Sequence, residues 1–255
     1  MGASPLAGRG IVVTRPREQA GRLAALLESA GARAFAFPAL EIAAPADPAP
    51  ARRIVERLAQ FDLAAFVSPT AVDRAFALIA AWPPGLRAAA IGQGSARELE
   101  RHGVRDVIAP VSGSDSEALL AAPELSEVRG KRVVVFRGEG GRELLGETLR
   151  ARGAAVEYAE IYRRTRPRAD AGPLLQAWER GEIHAVGVSS AGSLRNLFEM
   201  LGPAGAQALR TTPLFAGHER VAAEARRLGA REVRVAGTSD EEMLAALVAY
   251  FAGHD

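Results

Sequence analysis

The residues best suited to chemistry follow short apolar segments, at points where strands are predicted to lead into helices. Two arginines, Arg15 and Arg137, stand at such points. A guanidinium binds a carboxylate or a phosphate through two parallel hydrogen bonds. A surface salt bridge explains an arginine there equally well. The pattern therefore predicts either an anionic ligand or ordinary ion pairing.

Serine and glycine are frequent at the same junctions. Ser68 and Ser190 stand where helices are predicted to begin, and helix capping alone explains a serine there. Gly92 and Gly138 lie in predicted turns, where the conformational freedom of glycine alone accounts for the residue. A helix N-terminus also presents free amides and the positive end of the helix dipole, which attract anions. Anion binding therefore competes with capping and turn formation as the explanation.

Several kinds of catalytic site lack their residues in this chain. There is no cysteine, which excludes thiolate nucleophiles, disulfides and cysteine-based zinc sites. The four histidines are scattered without the spacing of metal ligands. The chain has no P-loop, and GVSSAG at 187–192 only approaches the GxSxG pattern of serine hydrolases. We therefore expect no metal or cofactor.

Composition places the chain among ordinary globular proteins. Its 255 residues suggest one large or two modest domains, and 48% are hydrophobic, which is enough for real cores. The 32 basic and 30 acidic residues nearly cancel, which argues against a nucleic-acid-binding protein. No apolar run approaches the roughly 18 residues needed to span a membrane, and the N-terminus does not resemble a signal peptide. We expect a soluble, cytoplasmic protein.

Strands and helices are predicted to alternate, and these elements must position the residues above. Helical spacing is seen in Leu23, Leu26, Leu27 and Ala30, and Gly31 is expected to end that helix. Ten short apolar runs are typical of buried strands: 11–13, 34–37, 63–67, 88–91, 107–109, 133–136, 155–158, 185–188, 214–216 and 233–236. This alternation predicts an α/β protein with parallel sheets.

Helix starts and sheet edges connect these elements to the chemistry. Ser114 with Glu117, and Ser239 with Glu242, have the spacing of capping boxes. Open parallel sheets bind ligands beyond the carboxyl ends of their strands. The junction residues are therefore expected at ligand-binding edges.

The chain also repeats itself at an offset of 122 residues. Segments 8–32 and 130–154 share eight identities, among them the two arginines at positions 15 and 137. Taken alone, this duplication would divide the chain near residue 125.

Six short segments occur in a fixed order with regular spacing. They are IVVTRP (11–16), FVSPTAV (66–72), IGQGSARELERHG (91–103), FRGEGGRELLGETLRARGAAVEYAEIYRR (136–164), VSSAGSLRNLF (188–198) and HERVAAEARRLG (218–229). The fourth, ending in Glu160-Ile161-Tyr162-Arg163-Arg164, is the most telling. In order, spacing and total length they resemble the uroporphyrinogen-III synthase family over roughly residues 8–250.

The resemblance implies an α/β fold of two similar, flavodoxin-like parallel-sheet domains joined by a two-stranded β connector. One domain would combine residues 1–37 with 166–255, and the other would comprise residues 42–162. Segments 37–42 and 159–165 would be the connecting strands. This division differs from the one that the repeat alone suggests.

The resemblance also implies a reaction. Members of the family take hydroxymethylbilane, a linear tetrapyrrole with eight carboxylates, eliminate water and invert ring D while closing the ring to uroporphyrinogen III. They use no cofactor or metal. Catalysis would rest on confining and orienting the substrate, helped by a proton donor near the departing hydroxyl. We expect a monomer, and whether hydroxymethylbilane synthase delivers the substrate through transient contact stays open.

Site residues follow from the resemblance position by position. Tyr162 matches the tyrosine favoured for helping the hydroxyl to leave. Some members have Gly-x-Thr-Thr where this chain has Gly217-His218-Glu219-Arg220, so Arg220 is a candidate for holding a carboxylate there. Ser68, Ser95 and Ser190 also match family positions, whereas Arg15 and Arg137 are expected to bind carboxylates because they occupy equivalent positions in the two repeats. The substrate-binding candidates are Arg15, Ser68, Gly92, Ser95, Arg137, Gly138, Ser190 and Arg220.

Two other functional classes fit parts of the pattern. A non-catalytic two-domain module that binds an anion or a tetrapyrrole would have the same elements and would not turn its ligand over. A nucleotide-sugar transferase with two α/β domains would usually be larger, and no diphosphate-binding motif is present. Isomer analysis of the product separates the first class from a synthase, and a thermal-shift screen with nucleotide sugars addresses the second.

Overall fold

The protein is described here by a computed structural model that covers residues 4–253. The chain forms two compact units. Unit 1 combines the residues up to Glu41 with those from Thr165 onward, and unit 2 comprises Ile42–Arg164. Each unit contains one five-stranded sheet, and the predicted α/β fold with parallel sheets is confirmed. The assignment of 37–42 and 159–165 as connecting strands stays a prediction.

Strands and helices alternate along most of the chain, as the sequence predicts. In chain order they are β1 (Gly10–Val13), α1 (Arg17–Ser29), β2 (Arg33–Ala36), β3 (Glu41–Ala43), α2 (Ala49–Glu56), β4 (Leu63–Phe66), α3 (Pro69–Phe76), β5 (Arg87–Ala90), α4 (Gln93–Arg101), α5 (Ser116–Leu120), α6 (Pro123–Ser126), β6 (Arg132–Gly138), α7 (Leu144–Ala151), β7 (Ala155–Thr165), α8 (Gly172–Glu179), β8 (Ala185–Val188), α9 (Ala191–Thr211), β9 (Leu214–Ala216), α10 (Glu219–Arg227), β10 (Val233–Val235) and α11 (Asp240–Ala252). The exceptions are that β3 directly follows β2 and that three helices, α4 to α6, follow one another. No helix among the described residues is long and apolar enough to cross a membrane.

The sheet of unit 1, called sheet 1, has the strand order β10-β9-β8-β1-β2 with parallel pairings throughout. Side chains alternate across β1, because successive residues of a strand point to opposite faces. Val12 packs into the core that includes α8, α9 and α10. Ile11 and Val13 pack into the core that includes α1 and α11. Helices therefore cover both faces of sheet 1.

The sheet of unit 2, called sheet 2, has the strand order β3-β7-β6-β4-β5. One face packs Leu63 and Val133 against α5 and α7. The other face buries Phe66 and Phe136, whose rings stack with centroids 4.9 Å apart. Because β4, β5, β6 and β7 pair in parallel, their carboxyl ends lie along one edge.

The repeat has a structural counterpart at paired glycines. Gly8 and Gly130 have φ of 72° and 76°, and Gly31 and Gly153 have φ of 84° and 90°. These left-handed conformations favour glycine, because a Cβ there crowds the backbone. Gly31 follows the last turn of α1, as its C′ position predicts.

Two local predictions were wrong. Residues 107–109 form no strand but make a single parallel bridge, Ile108 to Ala89. Pro110 follows at once and has no N–H to continue the ladder. The predicted capping box at Ser114 is also absent, because Asp115 caps α5 by accepting from the Ala118 amide at 2.8 Å. The box of Ser239 and Glu242 is confirmed.

Candidate active site

All the candidates that the sequence assigns to unit 2 lie along the carboxyl edge of sheet 2. Ser68 follows β4 and caps α3, and Gly92 follows β5 and is the N-cap residue of α4. The two helix starts are neighbours: a Cβ added to Gly94 would lie 3.7 Å from Pro69 Cγ. The structure thus brings Ser68 close to the start of α4.

Tyr162 lies on β7 at this edge, paired with Gly138 of the central strand β6. Its side chain is only 1% exposed. Its hydroxyl lies 3.3 Å from Ser68 Oγ and accepts a hydrogen bond from an Arg164 guanidinium nitrogen at 3.1 Å. Ser68 Oγ also accepts from the Ala71 amide at 3.0 Å, which is its capping bond. The Ser68 hydroxyl therefore both caps α3 and contacts the Tyr162 hydroxyl.

Gly138 is explained by the Tyr162 ring rather than by turn geometry. A Cβ at Gly138 would lie 2.6 Å from Cε2 of that ring, closer than real Cβ contacts come. The pairing of β6 with β7 shifts register between Arg137 and Gly138, and the Glu139 amide donates to the Tyr162 carbonyl at 2.8 Å. The absence of a side chain at Gly138 leaves the space in which Tyr162 lies.

Close approach also explains Gly92, whose φ of −176° is ordinary extended backbone. A Cβ there would lie 2.8 Å from Ser114 Cβ. Ser95, in the first turn of α4, is 2% exposed. Within residues 4–253, no hydrogen bond engages its Oγ, so the hydroxyl keeps its capacity for a ligand.

Arg137 is held by acidic neighbours. It is 7% exposed and makes ion pairs with Glu143 at 2.7 Å and Glu160 at 2.9 Å. Its guanidinium also lies 3.7 Å from the centroid of the Tyr158 ring. Burial lowers the pKa of Arg137, but the hydrogen bonds to Glu143 and Glu160 outweigh it, and the net direction is upward. The pKa of Glu143 is lowered, with the largest contribution from the Tyr158 hydroxyl and the next from Arg137.

A groove of about 440 Å³ runs past Arg137, Tyr158 and Glu160. A ligand carboxylate in this groove would have to replace one of the arginine's two acidic partners. The role of Arg137 in substrate binding stays a prediction.

The candidates in unit 1 lie along the carboxyl edge of sheet 1. Arg15, after β1, pairs with Asp240 at 2.5 Å and donates to the Thr238 carbonyl at 3.0 Å. Ser190 caps α9 by accepting from the Ser193 amide at 3.0 Å. Arg220 lies in the first turn of α10, is exposed and has no ion pair within residues 4–253. Of the three proposed carboxylate-binding arginines, only Arg220 has its charge unpaired.

One group of three side chains within the described region has the atoms of a metal site. Ligand atoms of Asp73, Glu98 and His102 lie within 4.8 Å of one another. Glu98 is also paired with Arg101 at 2.7 Å. Burial and the nearby Glu98 raise the pKa of Asp73. The group lies toward the C-terminal ends of α3 and α4, whereas Ser68 and Gly92 mark their N-terminal ends.

Arg164 is a residue beside Tyr162 that sequence reasoning missed. It stands two positions after Tyr162 on β7, and residues two apart share a face of a strand. Its guanidinium also lies 5.3 Å from the centroid of the Tyr162 ring. The sequence could have indicated that Arg164 and Tyr162 share a face, because they are two residues apart on a strand. It does not show whether the arginine side chain contacts the tyrosine or extends into solvent.

Comparison with known proteins agrees with the sequence resemblance. The family model described as uroporphyrinogen-III synthase HemD matches residues 21–246. Uroporphyrinogen-III synthases of Salmonella typhimurium and Escherichia coli are 35% and 33% identical over 240 and 242 residues. Each comparison covers 92% of this chain and 97% of the relative.

The fold has a counterpart among solved structures. A mutant uroporphyrinogen III synthase from the extremely thermophilic bacterium Thermus thermophilus superimposes with a TM-score of 0.61 at 20% identity, covering 97% of this chain and 100% of that one. At this identity the likeness concerns the fold alone. The family model and the identity to curated synthases show that this chain belongs to the uroporphyrinogen-III synthase family.

Proposed function

We propose that this protein converts hydroxymethylbilane to uroporphyrinogen III, eliminating water and inverting ring D as the ring closes. The observation that carries the proposal is the match to synthases over 92% of the chain. It favours an enzyme over a non-catalytic anion- or tetrapyrrole-binding module. Three points stay predictions: the cytoplasmic location, the monomeric state and transient contact with hydroxymethylbilane synthase. Light scattering of the purified protein tests the monomeric state.

The Tyr162 hydroxyl supplies the proton in this proposal. As the C–O bond of the substrate breaks, the departing hydroxyl takes up the phenolic proton and leaves as water. The electron pair of the pyrrole nitrogen replaces the broken bond and gives an electrophilic azafulvene. The N–H proton of that pyrrole is released and restores the phenol, so the net loss is one molecule of water.

Orientation then decides the isomer. Free in water, the azafulvene is attacked at the unsubstituted end of ring D and gives the uninverted isomer I. A bound substrate held so that the substituted carbon attacks passes through a spiro intermediate to isomer III. Holding reacting atoms in place is worth several orders of magnitude in rate, so a site with few reactive groups suffices.

Arginines are proposed to hold the substrate's carboxylates. Arg220 is available as it stands, since it has no ion pair within residues 4–253. Arg15 and Arg137 are paired with Asp240 and with Glu143 and Glu160, so a substrate carboxylate must displace a protein carboxylate there. We therefore expect Arg220 to contribute most directly to substrate affinity.

A coupled assay tests the proposal. Hydroxymethylbilane is generated in place by hydroxymethylbilane synthase, this protein is added, and the oxidised products are separated into uroporphyrin I and III. A dominant isomer III supports the proposal. Isomer I alone, as in the control without this protein, would contradict it and favour the binding module.

A further inference from the structure

Arg164 is the one charged group that contacts the Tyr162 hydroxyl among the described residues. It donates to that hydroxyl at 3.1 Å and lies over the ring, 5.3 Å from the centroid. Arg164 is exposed and makes no ion pair within residues 4–253. Its charge therefore has no carboxylate to neutralise it and acts on the phenol.

Hydrogen-bond geometry fixes the role of the phenolic proton. A guanidinium can only donate, so the oxygen of Tyr162 accepts from Arg164. The single phenolic proton must then point elsewhere, toward Ser68 Oγ at 3.3 Å or toward a bound acceptor. Arg164 thus prevents the hydroxyl from turning its proton toward the arginine side.

Charge gives Arg164 a second effect. When Tyr162 gives up its proton, negative charge develops on the phenolic oxygen. A cation already placed at 3.1 Å stabilises that charge without having to reorganise.

We propose that Arg164 is a positioning residue for the reaction: it directs the Tyr162 proton toward the departing hydroxyl and stabilises the phenolate that remains. This inference rests on the proposed function. It assigns Arg164 to the chemical step rather than to the binding of a substrate carboxylate.

The adjacent residue provides a matched control. Arg163 lies on the same strand and is also exposed, and its side chain has no hydrogen bond, ion pair or ring contact within the described residues. Replacing either arginine by alanine removes one positive charge from the same strand, although the two side chains point to opposite faces of it. Only Arg164→Ala removes the contact with Tyr162.

The experiment measures kcat and KM in the isomer-resolved assay, after wild-type protein has been shown to give isomer III. We expect Arg164→Ala to lower kcat by roughly 10- to 100-fold, with KM changed less than about twofold. Arg163→Ala should match wild type. Arg164→Lys should recover a large part of kcat, because it restores a cation and a donor.

A double variant tests whether Arg164 acts through Tyr162. In a Tyr162→Phe background, Arg164→Ala should lower kcat by no more than about twofold further, because the hydroxyl it positions is already gone. Independent, multiplying losses would overturn the proposal, as would unchanged kcat with raised KM in Arg164→Ala. If Arg164→Ala does not fold, Arg164→Gln and Arg164→Lys give the same comparison. Isomer I from wild-type protein would instead contradict the proposed function.

Discussion

At the scale of single residues, Tyr162 is a phenol held on both sides of its oxygen by Ser68 and Arg164. We expect Tyr162→Phe to slow turnover by roughly 10²-fold, the low end for loss of a general acid. The measurement is kcat for isomer III formation. Tyr250→Phe is the matched control, because it removes a phenol on α11, outside unit 2, that donates to Glu232.

A Tyr162→Phe variant with the full wild-type rate would mean that the substrate loses its hydroxyl without this phenol. Circular dichroism of both variants checks that their folds are intact. The comparison with Tyr250→Phe separates loss of a proton donor from loss of any tyrosine hydroxyl.

Arg220 carries a separate prediction about affinity. Arg220→Ala should raise KM roughly tenfold or more while kcat changes little, since a charged hydrogen bond contributes about 1.5–3 kcal/mol and this one acts on binding. Arg226→Ala on the same helix is the control, because Arg226 is paired with Glu219. Equal KM values for the two variants would count against a carboxylate contact at Arg220.

Sequence reasoning located the candidate residues better than their partners. Ser68 could be predicted as a cap because a cap depends on residues three positions away. The partners of Arg137 could not: Glu160 comes 23 residues later and meets it only through the register of β6 against β7. That register contains a shift next to Gly138, which no sequence pattern shows.

At the scale of elements, the end of β6 is closely packed against β7. Gly138→Ala places a Cβ 2.6 Å from a Tyr162 ring carbon, so the ring must move. We expect a loss of about 1–3 kcal/mol in the free energy of unfolding and a lower kcat. Urea unfolding and the isomer assay measure the two effects.

Gly21→Ala is the control for Gly138→Ala. Gly21 lies within α1, and a Cβ there would have no neighbour within 4 Å. Alanine should stabilise the helix by about 0.5–1 kcal/mol. The two glycine-to-alanine variants are thus expected to change the free energy of unfolding in opposite directions. A stable, fully active Gly138→Ala variant would show that the Tyr162 ring has room to shift.

Glu224 on α10 makes ion pairs with Arg195 on α9 and with Arg227 on its own helix, and these pairs should make stability depend on pH. The hydrogen bond from Arg227 contributes most, and that from Arg195 next, to lowering the pKa of Glu224 from 4.5 to about 2. A lowered folded-state pKa stabilises the protein above the unfolded value, and the stabilisation fades as pH falls from about 4.5 toward 2. Glu224→Gln should therefore destabilise the protein at about pH 6 and do so less at about pH 3, as measured by urea unfolding.

The control for this pH dependence is Glu28→Gln on α1. Glu28 is exposed and has no ion pair within residues 4–253. Because Glu28→Gln removes no ion pair, we expect it to change the free energy of unfolding little. A constant penalty for Glu224→Gln across that pH range would show that the ion pairs contribute nothing.

Most strands could be predicted from the sequence, because buried parallel strands are continuous apolar runs. The exceptions depend on pairing rather than on composition. Residues 107–109 are apolar yet make a single bridge, and β3, with the sequence EIA, is short and escapes an apolar-run criterion. Strand β7 runs on to Thr165, well past the apolar stretch at its start.

At the scale of the whole molecule, unit 2 is continuous and contains its own sheet and core. We expect a fragment of residues 41–165 to fold alone, with a cooperative thermal transition followed by circular dichroism. Residues 1–41 alone should stay unfolded, because β1 is buried between β2 and β8. A fragment 41–165 without a transition would contradict the independence of unit 2.

The repeat shows why the arrangement of whole units resists sequence analysis. It correctly makes β1 and β6 equivalent, since each lies inside its sheet. Periodicity does not say that the neighbour of β1 opposite β2 is β8, about 170 residues later, rather than β4 of the first half. Pairing β1 with β8 closes a long loop, but each doubling of loop length costs only about 0.6 kcal/mol. Distance along the sequence therefore does little to exclude such a pairing.

The place of β1 inside sheet 1 also has a consequence for biosynthesis. At about 5–20 residues per second, roughly 10 to 30 s pass between translation of β1 and translation of β8. During that time the ribosome completes the whole of unit 2. We therefore expect unit 2 to fold before unit 1 during synthesis, while the apolar segment Gly10–Val13 still lacks its neighbour β8.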